Sequence, residues 1–307
     1  MVRGAWTLVW IVEVGNGFRF YHLPSTFQAS SPRLREVEAG IHILRTNFYH
    51  YMYSLPVPLE HYSYAKLLNE IIQLCHKRRF TYQVIGYAKT RFAIAYPIYK
   101  ITIAPEQKKI FCIEAGTHGY EIAGPLAILE LLKNPARWLN KNLRYEIYPL
   151  VNPAGFDLRC RENAFGRDVN NISPQTMANE EFAEAKILAA DIKNKKLAVF
   201  LSLHEDNDMR AFYAYVYERT PQTIYRQVIA QTAKICPILT SKLIHGAKAD
   251  GHGLIINSAY DKAFHDFFHY RGQTAISITT ETPGLLPLAK RIQINLNNIK
   301  LLSQLID

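Results

Sequence analysis

Short apolar segments alternate with helical patterns through most of this chain of 307 residues. The predicted strands are 92–103, 109–115, 145–151, 197–203 and 275–280. The predicted helices are 62–78, 125–132, 179–193 and 225–236. Strands this uniformly apolar have no face suited to water, so they belong to a sheet that is covered on both sides. The pattern therefore predicts an α/β fold with a mixed, mostly parallel central sheet and helices on both faces.

A break in this pattern at Pro56-Val57-Pro58 predicts a domain boundary. Residues 1–57 are predicted to be an N-terminal extension or a small β-rich subdomain, with a strand-like segment at 6–14. Residues 58–307 are predicted to form one domain, which is long enough to bury a core of its own. No feature of the sequence predicts an oligomeric state.

Composition excludes several classes of protein. Apolar residues make up 49% of the chain and charged residues 20%, which is typical of globular rather than disordered proteins. The net charge is +10, yet the basic residues are dispersed, and the densest cluster is Lys77-Arg78-Arg79. Because there is no basic tail and no nucleic-acid-binding motif, we expect no nucleic-acid partner. No segment reaches about 18 apolar residues, so we expect no membrane span.

The four cysteines are widely spaced, which argues against a fold that depends on disulfides. Reduced thiols favour a cytoplasmic location. An apolar segment at 5–12, after Arg3, resembles the core of a signal peptide, but Glu13 interrupts it and no convincing cleavage site follows. The sequence therefore leaves export open as the alternative.

Polar residues follow three of the predicted strands. His118 and Glu121 come after the strand 109–115, His204 follows 197–203, and Glu281 follows 275–280. Sheets of α/β proteins build their sites at such strand ends. Two histidines and one glutamate are the ligand set of a hydrolytic zinc site with an open coordination position, and the absence of thiolate also suits zinc. Each residue alone also fits a structural role, as a turn histidine, a helix-start carboxylate or a strand-end histidine.

Five segments, taken in chain order, resemble the motifs of the zinc carboxypeptidases of the carboxypeptidase A-like (M14-type) superfamily, especially its compact bacterial members. Residues 116–121 (GTHGYE) resemble the H-x-x-E motif, and 152–155 (NPAG) resemble N-P-D-G. Residues 161–171 resemble R-x-N-x-x-G-x-D-x-N-R, 202–204 the segment with the last ligand, and 280–283 (TETP) the strand with the catalytic glutamate. The resemblance covers about 80–285 and implies a zinc-carboxypeptidase-like, or phosphorylase/hydrolase-like, fold with 58–307 as the catalytic domain.

The resemblance also implies a role for each matching residue. His118, Glu121 and His204 would hold one zinc ion per chain. Glu281 would act as the general base that takes a proton from water and then as the acid that delivers it to the leaving amine. Arg161 would stabilise the oxyanion of the tetrahedral intermediate.

Substrate-binding residues are predicted at Asn170, Asn171, Tyr260 and Asp266. Asn171 departs from the family, which has an arginine there to clamp the α-carboxylate of the substrate, and an amide carries no charge. Either Arg159 or Arg167 replaces this arginine, or the substrate has no free α-carboxylate at that point. Tyr260 would be the mobile active-site tyrosine and Asp266 would lie near the specificity position, with a structural tyrosine and a helix-surface aspartate as the alternatives.

Ala154 is the second departure, because the N-P-D-G motif has an aspartate at this position. We expect that aspartate to accept a hydrogen bond from a zinc-binding histidine, so that its loss weakens metal binding about 10- to 100-fold. Glu114 or Glu205 could supply the missing acceptor.

The leading hypothesis is a zinc-dependent hydrolase of peptide (amide) bonds, of the metallocarboxypeptidase type, acting on a peptide or an acyl-amino acid. One alternative is a deacylase or amidoacylase similar to succinylglutamate desuccinylase and aspartoacylase, which share the H-x-x-E motif and the distal histidine. The other is a non-catalytic protein that retains zinc and binds peptides. The change at Asn171 leaves the deacylase open, whereas the N-P-x-G and T-E-T-P segments look more like the peptidase branch. The changes at Asn171 and Ala154 together motivate the non-catalytic alternative, and the presence of Glu281 and Arg161 argues against it.

Overall fold

A computed structural model describes residues 62–91, 94–218, 224–256 and 262–306, together with the backbone of 9–14 and 17–22. The chain divides into two compact units, Met1–Leu55 and Pro56–Asp307. In the first unit, strands β1 (Val9–Val14) and β2 (Gly17–His22) form an antiparallel hairpin. The start of the strand predicted at 6–14 lies outside the described residues, and the role of 1–57 stays a prediction.

The second unit is built on a sheet of eight strands, whose order is β11-β8-β12-β7-β5-β6-β4-β3. In chain order the strands of this unit are β3 (Thr81–Lys89), β4 (Ala95–Ile103), β5 (Ile110–Ala115), β6 (Arg144–Tyr148), β7 (Leu197–Asp206), β8 (Tyr213–Glu218), β9 (Leu243–Ile244), β10 (Ala247–Lys248), β11 (Leu254–Ile256) and β12 (Thr274–Pro283). Strands β9 and β10 form a separate short hairpin. Four of the seven pairings in the sheet are parallel, so the predicted mixed, mostly parallel sheet is confirmed.

Helices connect these strands. Those described are α1 (Tyr64–Arg78), α2 (Ala123–Lys133), α3 (Pro135–Trp138), α4 (Pro153–Leu158), α5 (Pro174–Ala178), α6 (Ala183–Ile192), α7 (Ile224–Thr232), α8 (Phe264–Tyr270) and α9 (Leu288–Leu305). The helix predicted at 179–193 begins only at Ala183, because Asn179 caps a separate 3₁₀ turn at Glu180–Phe182 by accepting a hydrogen bond from Glu181 N (2.9 Å).

Both faces of the sheet are covered, as predicted. Successive side chains of a strand point to opposite faces, and in β5 Phe111 and Ile113 lie in one core cluster whereas Cys112 lies in the other. The first core contains residues of α1, α2, α7 and α9, and the second contains residues of α6 and α8. Because both faces bury apolar side chains, the strands read as continuous apolar runs.

The four cysteines are free thiols, three of them buried, so the fold does not depend on disulfides. Among the helices of the described ranges, none combines the length and the apolar character that crossing a membrane requires.

A polar network lies between the second face of the sheet and α6. Asp191 of α6 accepts from Lys100 Nζ (2.9 Å), from Lys195 Nζ (2.5 Å) and from Tyr148 Oη (2.5 Å). Burial raises the pKa of Asp191, but the hydrogen bonds from Lys195, Tyr148 and Lys100 outweigh it and lower the pKa below its usual value. Asp191 therefore contributes stability in its ionised form.

We expect Asp191→Asn to lower the free energy of unfolding at pH 7 by about 1–3 kcal/mol, because two lysines and a tyrosine lose a charged acceptor. A carboxylate with a depressed folded pKa stabilises the protein above its unfolded pKa of about 3.9, and this contribution is lost as the pH falls through the lower folded value. The difference between the variant and the wild type should therefore shrink below about pH 4. Denaturant unfolding at several pH values measures it.

Asp208→Asn is the matched control for this variant, because Asp208 is exposed in the turn after β7. Its free energy of unfolding should follow the wild type at every pH. A deficit of Asp191→Asn that is the same at pH 7 and at low pH would contradict the electrostatic explanation.

Candidate active site

Three side chains that can bind a metal converge at the C-terminal edge of the parallel strands. His118, Glu121 and His204 are 3%, 2% and 2% exposed, and their candidate ligand atoms all lie within 4.8 Å of one another. Nδ1 of His118 lies 2.6 Å from Glu121 Oε1 and 3.1 Å from His204 Nδ1, and His204 Nδ1 lies 2.8 Å from Glu121 Oε2. This is the predicted ligand set.

The donor set fits a divalent cation. The two carboxylate oxygens of Glu121 face the two imidazoles, and Nε2 of His204 is buried with no hydrogen-bond partner among the described residues. The carboxylates of Glu121 and Asp168 favour the protonated form of His118: burial lowers the pKa of His118, but the two carboxylates outweigh it and raise the value to about 9. Burial raises the pKa of Glu121, and the two histidines outweigh it and lower the value to about 2. A cation bound at the same atoms would replace these protons, and two imidazoles with one carboxylate are a zinc ligand set.

Close packing of two glycines positions the metal-binding loop between β5 and α2. A Cβ atom on Gly119 would lie 1.8 Å from the carbonyl carbon of Gly155, at the start of α4. Asn152 links the same parts: its Oδ1 accepts from Gly155 N (2.9 Å), and its Nδ2 donates to the carbonyl oxygens of Thr117 (3.2 Å) and Arg161 (3.3 Å). The N-P-A-G segment therefore ties the metal loop to the loop that carries Arg161.

Asp168 provides a hydrogen-bond acceptor for His118, and the effect of Ala154 on metal binding stays a prediction. Oδ1 of Asp168 lies 3.2 Å from Nε2 of His118, so that Nδ1 is directed to the metal-binding position. Ala154 is buried in α4, and its methyl group offers no acceptor. The seven-residue spacing from Arg161 to Asp168 within the R-x-N-x-x-G-x-D motif is the sequence signal for this role.

Neither proposed substitute acceptor is needed. Glu114 accepts hydrogen bonds from the hydroxyls of Thr117 and Ser202. Glu205 accepts from Ala123 N and pairs with Arg291.

Sheet register places Glu281 beside the ligand His204. The two residues are direct partners on the parallel strands β12 and β7, and on the other side Glu281 is paired with Tyr213 of β8. Burial raises the pKa of Glu281 to about 8; Glu121 and Asp206 also raise it, whereas His204 and Arg161 lower it. A carboxyl group whose pKa lies near neutrality can both accept and return a proton.

Arg161 lies beside His118 and is held by two neighbours. Its Nε and Nη2 lie 3.0 and 2.9 Å from Asp168 Oδ2, and its Nη1 donates to the Tyr120 hydroxyl (3.2 Å). Nη1 also lies 3.3 Å from Nδ1 of His118. The side chain is 42% exposed, so the guanidinium borders the metal-binding position and remains open to a ligand.

A further polar group lies near Glu281. Asp206, two residues after His204, accepts from the Tyr213 hydroxyl (2.8 Å) and lies 2.9 Å from Nε2 of His245. His245 is at the tip of the β9–β10 hairpin, has a φ of 46° and is 56% exposed. No sequence motif marks these residues, since only the folded chain brings the hairpin to the end of β7.

Three of the four predicted substrate-binding residues lie in the described part of the chain. Asn170 Oδ1 accepts from Phe264 N (3.0 Å) at the start of α8, and Asn171 is exposed in the adjoining loop. Asp266 is fully buried in α8, so the alternative of a helix-surface aspartate is wrong. Tyr260 lies outside the described residues. The structure thus brings together the three metal ligands, Glu281 and Arg161, and the substrate roles stay predictions.

The two arginines considered as substitutes at Asn171 have other partners. Arg159 is buried, donates to the carbonyl oxygens of Phe156 and Tyr62, and stacks on the Phe156 ring. Arg167 pairs with Glu181 (2.6 Å). Neither contact directs a guanidinium toward Asn171.

Comparison with known proteins identifies the family. The succinylglutamate desuccinylase/aspartoacylase catalytic domain matches residues 107–294, which is more than half of the chain and includes every metal ligand and Glu281. A comparison with curated proteins gave no match.

Several solved structures share the fold. A candidate metallopeptidase from Shewanella amazonensis has a TM-score of 0.67 and 23% identity over 79% of this chain and 92% of its own. A metallo-carboxypeptidase from Burkholderia cenocepacia has a TM-score of 0.58 and 17% identity over 80% of this chain and 70% of its own. At these identities the similarity shows the fold alone, and it is the carboxypeptidase-like fold that the sequence predicts. The chain belongs to the succinylglutamate desuccinylase/aspartoacylase catalytic-domain family, within the carboxypeptidase A-like superfamily of hydrolases.

Proposed function

We propose that this protein is a zinc-dependent amide hydrolase that removes an acyl group from an amino acid or short peptide. The observation that carries the chemistry is the convergence of His118, Glu121 and His204 beside Glu281, its partner across β7 and β12. Family membership favours the deacylase reaction over the peptidase reaction. Asn171 is exposed and does not distinguish the two reactions, because the amino acid that leaves carries an α-carboxylate in both.

The protein's residues divide the reaction between them. Zinc held by the three ligands supplies a Lewis acid that lowers the pKa of water to about 7. Glu281 accepts the proton of the attacking water and then delivers it to the nitrogen of the leaving amine. Arg161 donates from its guanidinium to the oxyanion as the carbonyl becomes tetrahedral, a contribution of about 3 kcal/mol for one such donor. Asp168 keeps both His118 and Arg161 in orientation.

Removal of a C-terminal residue from peptides is the second candidate. It is favoured by the order of the five motifs, which includes both Arg161 and Glu281. The two reactions are closely related, since the leaving amine is an amino acid in both. In either reaction, a group other than residue 171 would have to bind the α-carboxylate of the leaving amino acid.

Mass spectrometry of two substrate pools tests these proposals. One pool contains N-acyl amino acids, and the other contains peptides with either a free or an amidated C-terminus. We expect the zinc-loaded protein to deacylate members of the first pool, and chelator treatment to abolish this activity until zinc is restored. Single-residue loss from free-acid peptides alone would favour the carboxypeptidase, and silence in both pools would contradict amide hydrolysis.

A further inference from the structure

A buried ion pair lies directly beneath the metal-binding residues. Glu205 follows His204 on β7, so its side chain points to the opposite face of the sheet. There it pairs with Arg291 of α9, and the two side chains are 0% and 1% exposed. The ion pair is buried in the core between β7 and α9.

The other oxygen of Glu205 reaches the segment that carries a different ligand. Oε1 accepts from Ala123 N at 2.6 Å. Ala123 is the first residue of α2 and lies two residues after Glu121. A carboxylate at a helix N-terminus satisfies a backbone N–H that has no partner within the helix and favours the helix dipole. One side chain therefore joins the strand of His204 to the helix start behind Glu121.

Stability alone does not account for this arrangement. Burying a carboxylate and a guanidinium has a large desolvation cost, and apolar replacements of similar volume are often neutral or stabilising. Nε and Nη2 of Arg291 are buried and have no hydrogen-bond partner among the described residues, so the guanidinium is only partly compensated. What the ion pair does provide is a fixed position for the Glu205 carboxylate.

We propose that Glu205 is a positioning residue of the metal site, which sets the separation of Glu121 from His204, and that Arg291 holds its carboxylate in place. The inference rests on the proposed metal-dependent function. Metal sites tolerate only about 0.2 Å of variation in ligand distance. A hydrogen bond that ties Ala123 to β7 restricts the freedom of Glu121, since only Ile122 lies between them.

Two double variants separate positioning from stability. Glu205→Gln/Arg291→Met keeps a carbonyl oxygen for Ala123 N, whereas Glu205→Met/Arg291→Met has a side chain of similar length with no such acceptor. Both remove the whole ion pair, so neither leaves an unpaired buried charge. The measurements are the Kd for zinc, by competition with a chelator, and the free energy of unfolding without metal.

We expect the Gln/Met variant to bind zinc within about threefold of the wild type, and the Met/Met variant to bind about 10- to 100-fold more weakly. A purely structural role predicts a different result, in which the Met/Met variant unfolds more easily but, while folded, binds zinc like the Gln/Met variant. That result would overturn the inference. If the Met/Met variant does not fold, Glu205→Asp is the test variant, because its side chain keeps the charge but is too short to reach Ala123 N in the same way. Unchanged zinc affinity in Glu205→Asp would overturn the inference as well.

Metal affinity and turnover also separate this inference from the proposed function. A wild-type protein that binds zinc but hydrolyses no amide contradicts the proposed function alone. Equal zinc affinity in the two double variants of an active enzyme contradicts the positioning role alone.

Discussion

Glu281→Gln is expected to lower turnover by about 10²- to 10⁴-fold while the protein still binds zinc with wild-type affinity. The amide is similar in shape to the carboxyl group but cannot accept a proton from water or return one to the leaving amine. Glu281 is not one of the clustered ligands, and its position beside His204 is set by backbone pairing, which the substitution leaves in place. Turnover and bound zinc are measured on the same preparation.

Glu121→Gln is the contrasting variant. It changes a ligand that lies 2.6 Å from His118 and 2.8 Å from His204, so it should lose zinc together with activity. Turnover of Glu281→Gln within tenfold of the wild type would remove Glu281 from the mechanism. Loss of zinc in Glu281→Gln would instead make it a part of the metal site.

Gly119→Ala is expected to abolish metal binding and to destabilise the fold. The new methyl group would lie 1.8 Å from the carbonyl carbon of Gly155. Since ordinary carbon contacts are about 3.5–4.0 Å, the backbone of the metal loop or of α4 has to move by roughly 2 Å. Gly119 is next to His118, and a shift of this size exceeds the tolerance of about 0.2 Å for ligand distances. Overpacking of this kind costs about 1–3 kcal/mol of stability or more.

Gly246→Ala provides the matched control, because a methyl group there meets nothing within 4 Å. Gly246 has a φ of 82°, so the substitution should cost about 1–2 kcal/mol through backbone strain and leave zinc binding intact. Zinc titration and thermal unfolding of both variants give the comparison. A Gly119→Ala protein that binds zinc normally would show that the metal loop does not depend on its contact with Gly155.

The fold class and the metal site could be predicted from the sequence because their signals are local. Strands β5 and β7 are buried on both sides, which gives continuous apolar runs in the sequence. His118 and Glu121 lie in one tight loop, and their motif is short. The helix α9 and the strand β8 were not predicted. Helix α9 buries Arg291, Asn295 and Asn298, whose polar character hides its core-facing side in the sequence.

The contacts that hold the site together could not be predicted, because they join residues far apart in the chain. Asp168 reaches His118 across 50 positions. Asp206 and His245 are 39 positions apart. Such pairs depend on where loops fold back over the strand ends. The local pattern of apolar and polar residues carries no information about those loop positions. Aspartate and histidine, the residue types of these pairs, are equally common in solvated loops.

The pairing of His204 with Glu281 across β7 and β12 has a consequence for how this protein can change its substrates. Neighbouring strands of a sheet lie about 4.8 Å apart whatever their side chains. The separation of the His204 and Glu281 backbones is therefore set by the hydrogen bonds of the sheet and does not depend on the loops. Insertions in the loops that follow the two strands can redesign the entrance to the site while the reacting groups keep their spacing, so selectivity and chemistry can evolve independently.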